Sequence, residues 1–157
     1  MPIGEPIKEQ ILSDIEATIR SITGGADYYY TIEKVLRLDT GALQLNSFPG
    51  VVIVPTNTGY DNSRSTVVGV VAGSFEIILS CYLRTATNVA KSVERLIRDV
   101  HTALYVDITR GGLAINTRVL SDDIFYPDDA VEPVCGADIR IMVDYRARRT
   151  NLNSSAT

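Results

Sequence analysis

Apolar residues recur at helical spacing near the start of the chain, where Ile7, Ile11, Ile15, Ile19 and Ile22 follow one another at steps of four and three. That spacing lines one stripe of an amphipathic helix over Glu5 to Ile22, widened by Leu12, with Lys8, Glu9, Asp14, Glu16 and Arg20 on the remaining faces. Gly24-Gly25 supplies the stop signal. A second stripe of Val89, Val93, Leu96, Ile97, Val100 and Leu104 predicts another helix, with Thr87 or Asn88 as its cap.

Elsewhere the period is two. Tyr28 to Leu38 is rich in aromatic and β-branched residues and reads as a strand closed by Asp39-Thr40-Gly41. Val51 to Val54, bracketed by Pro49 and Pro55, suits an inner strand covered on both faces. Thr56 to Ser65 reads as a polar loop, and Val67 to Arg84 as strand throughout, with Gly69 or Gly73 marking a bulge, a bend or a tight hairpin. Leu113 to Leu120 predicts a strand, Ser121 to Pro133 an acidic segment, and Val134 to Ala147 the cleanest strand of all. There Cys135, Ala137, Ile139, Ile141, Val143 and Tyr145 alternate with Asp138, Arg140, Met142, Asp144 and Arg146. The order predicts an α+β fold, two main helices packed on one face of a single sheet, as one domain over 1–147 with a flexible tail at 148–157.

Composition narrows the function classes. A chain of 157 residues with 45% hydrophobic and 22% charged residues buries one core, and its net charge of -4 disfavours sequence-independent DNA binding. Glu5 and Glu9 stand where a secretion signal needs a basic start and an apolar run, so a cytoplasmic protein is expected. Cys81 and Cys135 each lie in an apolar strand pattern and read as small buried hydrophobes rather than a disulfide.

Catalytic chemistry is sparse in this sequence. The single His101 beside the second apolar stripe reads as a boundary residue, and Gly24-Gly25 and Gly111-Gly112 read as turns without a phosphate-binding motif. Asp122, Asp123, Asp128, Asp129 and Glu132 lack the alternating spacing that wraps calcium and read as a solvated loop. Arg146, Arg148 and Arg149 read as solvated or paired. No metal or cofactor is expected.

Contact surfaces are better represented. Within Tyr28-Tyr29-Tyr30 at least one ring must leave the core, which makes Tyr28 and Tyr30 candidates for a subunit interface. The charged row Asp138, Arg140, Asp144 and Arg146 is a second candidate, its alternative being a solvent face held by cross-strand pairs. Tyr60, Asp61 and Arg64 in one polar segment, and Ile124, Phe125 and Tyr126 among the acids, are candidates for docking a partner, the last three having core burial as their alternative.

Taken in order, four stretches resemble the tail terminator, or tail completion, family of long-tailed bacteriophages. They are the isoleucine-striped helix, Pro49-Gly50-Val51-Val52-Ile53-Val54, the Phe75 to Leu104 strand-then-helix unit, and Asp107-Ile108-Thr109-Arg110-Gly111-Gly112-Leu113-Ala114 with the closing Ile139 to Arg146 strand. The resemblance covers residues 5 to 147. It implies a mixed, mostly antiparallel sheet flanked by helices, and a structural virion protein rather than an enzyme. It further implies a hexameric homo-oligomer that caps the tail tube protein, meets the head–tail connector or neck protein, and lets DNA pass without specific binding, in the virion tail after assembly in the host cytoplasm. No membrane role and no catalytic residue come with it. The alternatives are another head–tail joining or neck protein, a small cytoplasmic enzyme using carboxylates such as Asp122, Asp123 or Asp138, and a nucleic-acid-binding regulator, which needs a basic stripe.

Overall fold

The computed structural model describes residues 4–38, 45–61, 69–126 and 133–148, together with the backbone of 151–155. The elements run α1 (Ile7–Arg20), β1 (Lys34–Arg37), β2 (Gly50–Tyr60), β3 (Val70–Arg84), α2 (Val89–Val106), β4 (Asn116–Phe125), β5 (Val134–Arg148) and β6 (Asn151–Ser155). Five strands lie in the order β1-β2-β3-β5-β4, and β6 pairs with the far end of β5. β1 is parallel to β2 and every other pairing is antiparallel. The fold is therefore α+β, a single mixed and mostly antiparallel sheet with both helices on one face.

The striped faces close the core as their spacing predicts. Ile7, Ile11, Leu12, Ile15 and Ile19 of α1 and Val93, Leu96, Ile97, Val100, Ala103 and Leu104 of α2 are buried against the alternating inward residues of β3 and β5. The β3–β5 pair is the spine, in register over fifteen residues from Val70↔Arg148 to Arg84↔Val134. Cys81 and Cys135 lie on these neighbouring strands, but Cys81 faces Ala137 and Cys135 faces Leu83, so both thiols stay free and buried.

Two glycines in this spine make room for rings. Gly73 lies between Tyr60 of β2 and Tyr145 of β5, and a Cβ there would meet the Tyr145 ring at 2.9 Å. Gly136 lies between Tyr82 of β3 and Phe125 of β4, whose ring centroids are 5.5 Å apart. The first trio is on the helix-covered face and the second on the opposite one, so each glycine lets aromatic rings from the two flanking strands close over bare backbone.

Several elements depart from the sequence expectation, each for a physical reason. The strand expected over Tyr28 to Leu38 shrinks to Lys34–Arg37, because the Asp99 carboxylate takes the Tyr29 and Tyr30 N–H groups at 3.0 and 2.8 Å. Pro55 does not end β2. β1 pairs with Gly50 to Ile53, so beyond them the edge of β2 away from β3 is open and tolerates a proline. Thr56 to Tyr60, expected in a polar loop, continue β2 along β3 after a register shift. β3 runs unbroken through Gly73. Ser121 to Phe125, expected in the acidic segment, belong to β4, which passes a bulge between Val119 and Ser121. The expected flexible tail contains β6, since a backbone ladder needs no apolar side-chain pattern. Asn88 precedes α2 but has φ 50° and makes no side-chain cap. The Asp39-Thr40-Gly41 turn, Arg64, Asp128, Asp129, Glu132 and Arg149 lie outside the described residues.

Candidate functional site

Among the described residues no helix covers the second face of the sheet, and this open face carries the charged row of β5. Strand pairing brings β3, β5 and β4 residues side by side there: Ser74 with Asp144 and Asn116, Glu76 with Met142 and Arg118, Ser80 with Asp138 and Asp123. Arg140 and Asp144 of this row are ion-paired within the chain, whereas the Arg146 Nε is buried without a hydrogen-bond partner among the described residues. Arg140 reaches Glu76 at 3.0 Å and Asp123 at 3.6 Å, and Arg118 reaches Asp144 at 3.7 Å. Two serines on β3 donate to β5 carboxylates, Ser80 to Asp138 at 2.7 Å and Ser74 to Asp144.

This network decides what the face does alone. Arg140 is half-exposed and its pairs are exposed ion pairs worth at most about 1 kcal/mol, so the row adds little to stability. Its effect is order: acids and bases are held at fixed positions across three strands. One end of the face is apolar, with Tyr82 and Phe125 in contact and the Arg84 guanidinium 4.6 Å from the centre of the Phe48 ring. Burial pushes the Tyr82 hydroxyl pKa up, helped by the nearby Asp138 charge, so it stays a neutral hydrogen-bonding group.

The other predicted positions divide. Tyr28 and Tyr30 pack partly buried against the core, while Tyr29 points out, with Arg95 at 4.8 Å and Arg98 at 5.6 Å from its ring centre. The exposed ring of the trio is thus the one not chosen. Ile124 packs toward the helices, Phe125 lies on the open face and Tyr126 is exposed, so the three do not form one anchor. Tyr60 is exposed at the end of β2, and the Asp61 N–H donates to Ala72 at 3.0 Å. Tyr145, beneath Tyr60, has its pKa pushed up to about 12, by burial first and then by Tyr60.

A shallow groove of about 630 Å³ runs along the outer face of α2. His101 Nε2 lies 2.8 Å from Asp122 Oδ1 there, and the Tyr105 ring meets the imidazole edge-on at 6.2 Å. This is the nearest approach to acid–base machinery, but the groove is open, and its lining holds neither serine nor cysteine. The cysteine thiols are both pushed up by burial and stay protonated. Among the described residues the carboxylates with displaced pKa values, Glu9 and Asp107, are both lowered, the opposite of a carboxyl kept protonated to act as a general acid. Among the described residues no group of His, Cys, Asp and Glu is arranged to hold a metal. Among the described residues no helix is long and apolar enough to cross a membrane.

Sequence reasoning missed two buried polar residues that fix the scaffold. Asp99 sits inside the apolar stripe of α2 and ties the segment before β1 to that helix. Arg110 is wholly buried at φ 52°, reaching Leu104 O at the end of α2 and lying 3.5 Å from Asp14 of α1. Asp107 shapes the turn that carries it, accepting from the Thr109 N–H at 2.9 Å and the Gly111 N–H at 2.6 Å. The signal for Arg110 was the Asp-x-Thr-x-Gly-Gly turn around it; Asp99 left none. No protein-family model matches the chain, and no curated protein matches it.

Proposed function

We propose that this chain is a structural subunit of a long-tailed phage virion, a tail terminator that assembles as a hexameric ring, caps the tail tube and joins it to the head connector. One observation carries the reading: among the described residues a single sheet has its helices on one face only, leaving a broad, charge-patterned face open and β1 and β4 as edge strands. Surfaces of mixed and fixed charge favour partner choice over raw affinity, which suits a joint that must meet its partners in sequence. The mixed sheet also agrees with what the family resemblance implies, and the acidic composition suits a channel that must not hold DNA.

The test has two arms. Light scattering on the purified protein, alone and with tube protein, is expected to find hexamers in at least one condition; monomers in both overturn the reading. Electron microscopy of particles lacking the protein is expected to show overlong or unattached tails. Normal-length tails that fail to join heads would point instead to a neck protein.

A further inference from the structure

We propose that copies of this chain join edge to edge, β4 of one lying antiparallel to β1 of the next, so that the sheets continue around the ring. This rests on the ring reading above and names its joint.

The sheet ends at β1 on one side and at β4 on the other. β4 is a ten-residue edge, blunted by the bulge at Leu120 and by the Tyr105 hydroxyl that accepts from the Val119 N–H at 3.4 Å. A long edge strand left bare invites uncontrolled pairing, so a protein that keeps one needs a use for it or a cover. Exposed apolar side chains gather along this stretch of chain. Of nine large hydrophobics that stay exposed among the described residues, six (Tyr105, Val106, Ile108, Ile115, Leu120 and Tyr126) lie between the end of α2 and the residue after β4. A seventh, Leu38, follows β1 at the other edge.

Direction and register select the occupant. β1 and β2 run one way, and the antiparallel steps from β2 through β3 and β5 leave β4 running the other. Rotation about an axis along the strands preserves direction, so β4 meets the next copy's β1 antiparallel, the arrangement that needs no crossover. Lys34 and Leu36 share the open face with Gly50 and Val52, as Asp123 and Ser121 share it with Asp138 and Arg140. Keeping both faces continuous allows only registers that set open-face residues opposite each other, because a slip of one residue would turn every side chain over; of these, the register with Lys34 opposite Asp123 and Leu36 opposite Ser121 sets a cation against an anion. The charges fit that register. Lys34 makes no ion pair among the described residues, and the Asp123 carboxylate is 66% exposed with Arg140 at 3.6 Å. Two-fold pairing of β4 with itself would leave every β1 edge bare, whereas head-to-tail closure uses both edges of every copy.

Because Cys81 and Cys135 are buried, mild oxidation of a double variant Lys34→Cys with Asp123→Cys reaches the introduced thiols. The expected result is a ladder of covalent multimers ending at the ring, absent from either single variant. Asp123→Lys is expected to weaken self-association by about tenfold, and adding Lys34→Asp to restore it. Oligomers of unchanged size that give no ladder and ignore the charge swap overturn the edge joint while leaving the ring reading standing. Dimers crosslinked through Leu120→Cys alone overturn it in favour of two-fold pairing, and monomers throughout overturn the ring itself.

Discussion

Arg110, fully buried, donates from its guanidinium to the carbonyl oxygen of Leu104 in the last turn of α2. A cation there meets the negative end of the helix dipole, and Asp14 and Thr18 bring α1 to the same group. Burial lowers the guanidinium pKa, while Asp14 and Asp107 oppose that, yet the group remains charged at any physiological pH. Arg110→Ala is expected to cost roughly 3 kcal/mol, since it empties a buried site and strips the helix carbonyl of its donor. Urea unfolding checks this, and a loss under about 0.5 kcal/mol would show that water replaces the side chain freely.

Gly136 predicts a different kind of failure. A Cβ at this position would lie 1.8 Å from the Cys81 carbonyl oxygen, so Gly136→Ala must part the two central strands. Gly73→Ala first meets a side chain, the Tyr145 ring, at 2.9 Å. The first variant is expected to lose several kcal/mol or fail to fold, and the second about 1–3 kcal/mol, as read by thermal unfolding. Equal losses would mean that strand separation is not the cause.

Asp99→Asn tests why the tyrosine segment is not a strand. The amide offers one acceptor oxygen where the carboxylate offers two to the Tyr29 and Tyr30 N–H groups. A loss of about 1–3 kcal/mol is expected, with faster amide exchange at those two residues than elsewhere in the core. Unchanged protection at both would remove Asp99 as the organiser.

Stability should fall at both pH extremes. Glu9 is held below its ordinary 4.5 by the Arg37 hydrogen bond, and Asp107 below 3.8 by bonds from Thr109 and Gly111. Lowered folded-state values stabilise above the ordinary pKa, and that contribution disappears as pH drops through the folded values. Asp107→Asn is therefore expected to flatten the acid limb. Tyr145 works the other way: its pKa rises from 10.0 to about 12, so its contribution is full below pH 10 and lost between 10 and 12. Tyr145→Phe is expected to shrink the alkaline fall, measured as the unfolding midpoint across pH.

What the residues reveal unaided follows from how local each cause is. The isoleucine stripe of α1 and the alternation of β5 are set by neighbours three, four or two positions away, and both elements form as expected. Asp99 reaches Tyr29 and Tyr30 across seventy residues of chain, and no local pattern announces such a contact. Tyr29 faces outward while Tyr28 and Tyr30 pack against the core, so the in-out alternation persists, and only its phase was unreadable from three identical residues. The charged row of β5 was legible, but its partners Ser74, Glu76, Ser80 and Asp123 come from strands whose order only the fold decides.

An interior position of the sheet is filled by a strand that is synthesised after both of the strands flanking it. β4 is synthesised before β5, which is its pairing partner, and β3 waits for the same strand some fifty residues further on. A nascent chain thus carries β3 with one open edge and β4 with no partner until β5 slides between them, and termination anywhere before Val134 leaves that gap unfilled. The continuous sheet is therefore closed only once β5 has been made, however early its two flanking strands are complete.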